Sequence, residues 1–325
     1  MSTPGLPRRL SVIVPTRDRP ELLRQALASI RAVEAQDFSL EILVGDNGSL
    51  QETKDVAAEF GAVHLLAQGV GASAGRNAGL AAASGDYIAF LDDDDVWLSG
   101  HLRAHFDALD ADPTIDGVLG QVIYADRDLN PSGPPSPAVH PGDGDEMLRK
   151  MLSGWFPQIG TLVVRKPAAQ AAGLFDPKLL GGQDLDWMLR IARKRRLAMT
   201  MTPCVLYRGR PPGSYDALQR RRVGFDRQVF LRHALPEWRI WKSLHAFGSA
   251  YSLTLWHFYQ YFIEAADDRA RRGLRFDAAK AIFAAVSVFP LRGVYHAVKP
   301  GTPLNQAVRR ALAPHVGASL RQEKS

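Results

Sequence analysis

The chain has one cysteine, Cys204, in 325 residues. No intrachain disulfide can form, and no cysteine-based zinc site can be built. Long apolar runs are also missing. The most hydrophobic stretch, residues 246–266, is interrupted by His257, Gln260 and Glu264. It makes a poor transmembrane span and a good buried or interfacial helix. The apolar run after Arg8 and Arg9 ends at Pro15, too short for a signal-peptide core. A cytoplasmic protein is therefore expected, with peripheral attachment to the inner face of a membrane left open. Excess charge is small, since 40 Lys and Arg against 34 Asp and Glu leave +6. Much of it sits in residues 190–196 and 220–222, without interleaved aromatics, so nucleic acid is not an expected partner.

What the chain does have is a block of four aspartates, Asp92 to Asp95, closing the apolar run Tyr87-Ile88-Ala89-Phe90-Leu91. The run reads as a buried strand. Like charges crowded at a strand end repel one another, and a cation relieves that cost. Oxygen-only ligands suit Mg²⁺ or Mn²⁺. A solvated acidic turn is the plainer alternative on these residues alone.

Strand and helix patterns alternate through the first ninety residues. Residues 10–15, 41–44, 63–66 and 87–91 read as strands, and 19–32, 51–60 and 73–83 as helices. This order predicts an open, mainly parallel twisted sheet with flanking helices, a Rossmann-like α/β fold. Ligands then belong at the carboxyl ends of the strands, where Pro15-Thr16, Asp46 and the acidic block converge. Further on, 100–111 reads as a helix, 117–124 as a strand, 126–145 as a Pro- and Gly-rich surface loop, 159–164 as a strand and 184–195 as a helix. An all-helical region follows from about residue 221. The expected division is 1–220, with a nucleotide half to about 115 and an acceptor half over 116–220, then 221–325.

Five motifs occur in order. They are Val12-Ile-Val-Pro-Thr-Arg-Asp-Arg19, Val44-Gly-Asp-Asn-Gly-Ser49, Gly75-Arg-Asn-Ala-Gly79, the stretch from Ala83 to Trp97, and Gly173-Leu-Phe-Asp176 with Gly182-Gln-Asp-Leu-Asp-Trp-Met-Leu-Arg190. Over residues 10–215 the chain resembles the family 2 glycosyltransferases, which have the nucleotide-diphospho-sugar transferase (GT-A) fold. The resemblance implies a metal-dependent, inverting transfer of a sugar from a nucleotide diphosphate, UDP above all, to a glycan or lipid-linked acceptor. Polysaccharide, glycolipid or cell-surface glycan synthesis is the implied setting. The family's aspartate–any residue–aspartate pattern falls on Asp92 and Asp94, with Asp94 on the Mn²⁺ or Mg²⁺ and Asp92 facing the ribose or the metal's water shell. Asp93 takes the middle position among the donor contacts, and Asp95 fixes the loop through backbone hydrogen bonds.

The same resemblance puts Asp46 on the nucleotide base, with Pro15, Thr16, Arg17 and Asp18 beside it. Asp46 also suits an Asx turn before Gly48, and Asp18 a helix cap. Arg76 approaches the base or the diphosphate, as a permanently charged planar donor suits. Asp184 is the implied catalytic base, or else an N-cap. Asp186 and Trp187 belong to the packing behind it. The chain departs from the pattern at Gln183, where the family has an acid, and at Arg210, where many relatives have a metal-binding histidine. A charged arginine cannot ligate a metal but can meet a diphosphate.

Three rivals are weighed against this. Gly69 to Gly75 resembles a dinucleotide loop, and Tyr295 with Lys299 has the spacing of a dehydrogenase pair, but the loop follows the third strand and lacks the G-x-G-x-x-G spacing. Gln183 and Arg210 motivate a catalytically impaired nucleotide-sugar or carbohydrate binder. The third, nucleic-acid binding, rests on charge alone. Trp155 and Phe156 could stack on a sugar ring, with core packing the commoner role. Trp238, Trp241, Trp256, Tyr259 and Tyr261 could dock on a membrane, and a lid or homodimer surface is the other reading of that region.

Overall fold

The structure is a computed structural model that describes residues 8–33, 38–209 and 215–313. The chain forms two compact units, Met1–Ala250 and Tyr251–Ser325.

The first unit is built on β1 (Arg8–Thr16), α1 (Pro20–Ala32), β2 (Phe38–Asp46), α2 (Gln51–Glu59), β3 (Val63–Leu66), α3 (Ala72–Ala82) and β4 (Tyr87–Phe90). Then come β5 (Val96–Trp97), α4 (His101–Ala111), β6 (Gly117–Ala125), α5 (Asp145–Met151), β7 (Val163–Arg165), α6 (Lys166–Ala172), α7 (Gln183–Ala192), β8 (Leu197–Arg208) and α8 (Tyr215–Ala234). The strand order is β3-β2-β1-β4-β7-β6-β8-β5. The β1–β2, β2–β3, β1–β4 and β6–β8 pairs are parallel, and β4–β7, β6–β7 and β5–β8 are antiparallel. The parallel half is the expected one. The antiparallel insertions make the sheet mixed.

Strand β1 is covered on both faces, with Leu10, Val12, Ile13 and Val14 fully buried. That is the signature of a central parallel strand, and each such side chain contributes about 1.5–3 kcal/mol of burial. Pro20 opens α1, and Leu23, Ala26, Leu27 and Ile30 form its buried stripe. Helix α3 lies on the sheet through small residues. A Cβ on Gly45 would stand 2.1 Å from the Gly75 carbonyl oxygen, and one on Gly79 would stand 2.3 Å from Ile13. This close approach brings α3 onto the carboxyl ends of β1 and β2.

The structure refines the sequence reading in three places. Residues 159–164 form a 3₁₀ turn, Ile159–Thr161, before the short β7, in place of one strand. The segment 126–145 is tied to β6 by bridges from Val122 to Ser136 and from Ala125 to Pro131, so backbone pairing holds a stretch whose sequence has no apolar period. Strand β8 has no counterpart in the sequence reading. Its pairing with β6 shifts register around Gln121 and Pro203, where proline cannot donate to the ladder.

The first part of α9 (Leu244–Arg271) lies in the first unit, and the second unit continues it with α10 (Arg275–Val288), α11 (Pro290–Val298) and α12 (Pro303–Leu312). No described helix is long and apolar enough to cross a membrane. Trp241 and Tyr259, two of the aromatics with a possible membrane role, are 3% and 1% exposed. Trp241 Nε1 donates to the Ala234 carbonyl, and Tyr259 Oη pairs with His296 Nδ1. Both are packing residues. Trp256 and Tyr261 are half-buried, and Trp238 is exposed.

Candidate active site

The strand ends converge as the alternation requires. Asp92, Asp94 and Asp95 offer carboxylate oxygens that all lie within 4.8 Å of one another. An oxygen-only set of this compactness fits a hard dication. Asp95 is buried, and its Oδ1 accepts the Arg208 backbone N–H at 2.9 Å. Asp93 turns inward, where Thr16 Oγ1 donates to its Oδ2 at 2.7 Å. Burial pushes the Asp93 carboxyl up to about 6, against the pull of Thr16 and Arg19.

Three arginines surround these acids, and the sequence motifs single out one of them. Arg76 is 1% exposed, yet its Nη2 donates to Asp92 Oδ1 at 2.6 Å. Its Nε and Nη1 have no hydrogen-bond partner. Burial works against its charge. Asp92, Asp184 and Asp94 overcome this and raise the guanidinium pKa above its ordinary value. A buried cation with unpaired N–H groups is costly unless an anion arrives to meet them. Arg19 Nη1 stands 3.2 Å from both Asp93 Oδ1 and Asp94 Oδ2. Arg208 Nε donates to the Asp94 backbone carbonyl at 2.7 Å. Nothing in the spacing of the arginines along the chain says which of them folds back on the acids. Arg17, the neighbour expected at the base, is exposed and, among the described residues, pairs with Asp18 at 3.7 Å. Arg210 lies outside the described residues.

The base-side residues also meet. Asp46 makes the Asx turn, accepting Gly48 N–H at 2.7 Å on Oδ1, while Oδ2 pairs with His64 Nε2 at 3.0 Å. No sequence motif points to His64. Asp18 does not cap α1. Its φ of 53° is left-handed, and its Oδ1 accepts the Ser49 N–H at 2.9 Å, tying the tips after β1 and β2 together. Pro15 lies under α3, 3.0 Å from where a Gly75 Cβ would be.

Asp184 is the second residue of α7 and is not its cap. Gly182, left-handed at φ 68°, is the cap, and no side chain caps the helix. Asp184 Oδ1 accepts the Leu185 N–H at 2.9 Å. Its charge acts on Arg76, which places it on the acid tip's side of the unit. Behind it Asp186 is fully buried, held by Arg232 Nη1 at 2.9 Å, His233 Nε2 at 3.0 Å and Arg190 Nη2 at 3.2 Å. Trp187 stacks on Phe175 with centroids 5.0 Å apart. The packing expected of these two is what is found. A cavity of about 180 Å³ lies against β6, lined by Tyr124, Ser136, Trp155, Phe156 and Gln158 among others.

The model of glycosyl transferase family 2 matches residues 11–168. The chain is 42% identical over 102 residues to a GalNAc(5)-diNAcBac-PP-undecaprenol beta-1,3-glucosyltransferase of Campylobacter jejuni, covering 29% of this chain and 32% of that protein. It spans well under half the length of the first curated relatives it matches, 32–39%. Among solved structures it resembles a mannosyltransferase from Pyrobaculum calidifontis in complex with GDP-Man and Mn²⁺, with a TM-score of 0.54 at 20% identity, over 95% of this chain and 87% of that one. It also resembles Staphylococcus aureus TarS 1–349 in complex with UDP-GlcNAc, with a TM-score of 0.52 at 16% identity, over 90% and 93%. At such identities the likeness establishes the fold, GT-A with a helical C-terminal region.

Proposed function

This chain carries a glycosyl transferase family 2 domain over residues 11–168, and from that premise we propose that it moves a sugar from a nucleotide diphosphate, UDP-linked, to an acceptor hydroxyl with inversion at C1. The observation that carries the reading is Arg76, buried and charged between Asp92 and Asp184 with two sets of N–H unspent. A diphosphate supplies the oxygens those groups need.

Asp94 and Asp92 would hold Mn²⁺ or Mg²⁺, with Asp95 in reach. A bound dication would offset the negative charge that grows on the departing diphosphate. Pro15, Thr16, Asp18 and Asp46 would line the base and ribose, and Asp93 would hold Thr16 in place. A carboxylate at Asp46 suits the imide N–H of uracil. Asp184 would accept the proton of the acceptor hydroxyl as that oxygen forms its bond to C1 and the C1–O bond to phosphate breaks. The acceptor's sugar ring would lie in the cavity beside Tyr124, Trp155 and Phe156, whose lining has both aromatic and hydroxyl side chains. The lipid-linked acceptor named for the Campylobacter relative supports a glycan or lipid-linked acceptor here.

The experiment is a thermal-shift screen of sugar nucleotides, with and without Mn²⁺, on wild type, Asp94→Asn and Asp184→Asn. Ligand at a hundred times its Kd stabilises the native state by about 2.7 kcal/mol. Wild type should respond to a UDP-sugar and respond more with Mn²⁺. Asp94→Asn should lose the Mn²⁺ increment. Asp184→Asn should keep binding and lose donor hydrolysis or transfer by roughly 10²–10⁴-fold. Indifference of Asp94→Asn would remove the metal from the reading. Binding without any turnover in wild type would favour the impaired-binder alternative, for which Gln183 and Arg210 in place of the usual family residues are the motive.

A further inference from the structure

Helix α11 carries its apolar stripe on the outside. Leu291, Val294, Tyr295 and Val298 recur at i, i+3, i+4 and i+7, and are 91%, 56%, 53% and 68% exposed. The inward side is Gly293, so tight on α10 that a Cβ there would stand 2.6 Å from Val286 Cα. Amphipathic helices ordinarily do the reverse. Helix α10 repeats the pattern: Ala278, Ala281, Ala285 and Val288 are buried, while Phe276 and Phe283 are 74% and 76% exposed. Contiguous exposed apolar surface of this kind marks an interaction site.

The charge around it is mostly of one sign. From 275 to 313 the sequence has Arg275, Lys280, Arg292, Lys299, Arg309 and Arg310 against Asp277 alone. Lys280 pairs with Asp277, and Arg310 pairs with Asp267. Arg292 lies over the rings of Trp256 and Phe289, and Lys299 over Tyr295. Large side chains on one face, flanked by cations, are the composition of a helix lying in a bilayer interface. The helix is nine residues long, so it can lie on a membrane and cannot cross one. A second copy of the chain is the poorer occupant, because face-to-face contact would set two cationic segments against each other.

We propose that the α10–α11 hairpin docks this protein on an anionic bilayer surface, with Leu291 and Val298 inserted among the acyl chains and the flanking Lys and Arg on the headgroups. The docking does not depend on the sugar-transfer reading. It assigns the membrane role to residues that face out, in place of the packed Trp241 and Tyr259.

The test is flotation of the full chain with phosphatidylcholine vesicles, with and without phosphatidylglycerol. Leu291→Glu/Val298→Glu is the variant, and circular-dichroism melting is the folding control. Both positions are exposed, so the variant should melt as wild type does. Wild type should float with the anionic vesicles, roughly ten-fold less with neutral ones, and less again at high salt. The variant should stay at the bottom of the gradient with UDP affinity unchanged. No flotation of wild type on anionic vesicles, or equal flotation of the variant, would overturn the proposal. So would a wild-type dimer in light scattering that the variant converts to monomer, which would assign the face to self-association.

Discussion

Arg76 reaches Asp92 at 2.6 Å from a position that is 1% exposed, and its Nε and Nη1, over the Phe175 ring, are left without a hydrogen-bond partner. The pair neutralises one member of the acid tip, and on the proposed reading the remaining donors serve the diphosphate. Replacing Arg76 with Met keeps much of the side chain's length and removes every donor. Hydrogen bonds to charged groups are worth about 1.5–3 kcal/mol, so UDP affinity should fall by roughly 10–100-fold in calorimetry. Arg76→Lys should recover only part of this, since an ammonium cannot reproduce the fork. Equal UDP affinity in wild type and Arg76→Met would take the diphosphate away from this residue.

Much of this site is legible in the order of residues along the chain. A strand–helix alternation up to Leu91 determines which strand ends share an edge, and so Thr16, Asp46 and Asp92 to Asp95 can be grouped from pattern alone. Other parts are not legible, for physical reasons. Strand β8 runs Leu-Ala-Met-Thr-Met-Thr-Pro-Cys-Val-Leu-Tyr-Arg, and a proline at a register shift hides it from any period-two reading. Strand β5 has two residues, too few for a period to show, and β7 has three, so the strand expected over 159–164 is found only at its end. Arg19 and Arg208 each have other arginines close by in the chain, and only the fold selects which of them turn back on the acids. Asp18 reads as a helix cap because it precedes α1. Its left-handed backbone aims the carboxylate at Ser49 instead.

Asp226, on α8, should make stability depend on pH. It is 1% exposed, and neither carboxylate oxygen has a hydrogen-bond partner. Burial pushes it up to about 7. Arg222 on the same helix partly offsets this, and Asp184 on α7 adds to it. Gly182 crowds the same carboxyl, since a Cβ there would meet Asp226 Oδ1 at 2.9 Å. The folded state therefore keeps a proton that the unfolded chain releases near its ordinary value of 3.8. The resulting stabilisation is complete below that value and is lost as pH rises through about 7. Asn resembles the protonated acid, so Asp226→Asn should flatten the fall in urea-denaturation stability between pH 5 and 8, by an amount on the order of 2–4 kcal/mol at most. An unchanged slope would mean that the group is ionised and paired in the native state.

The approach of α3 to the sheet gives the sharpest structural prediction. At Gly45 an added methyl would meet the backbone of Gly75, 2.1 Å from its oxygen and 2.7 Å from its Cα. Backbone cannot swing aside as a side-chain tip can. Either α3 lifts off β2 or the strand bends, and overpacking of this kind costs about 1–3 kcal/mol, sometimes more. Gly71 is the contrast, with nothing within 4 Å of an added Cβ, so any cost of alanine there comes from its φ of 79°. Because Arg76 is the next residue after Gly75, lifting α3 would also draw the guanidinium away from Asp92. Gly45→Ala should therefore lower both the melting temperature and UDP affinity, while Gly71→Ala lowers the melting temperature alone. A Gly45→Ala variant that melts lower but binds UDP as wild type does would separate helix seating from the placement of Arg76.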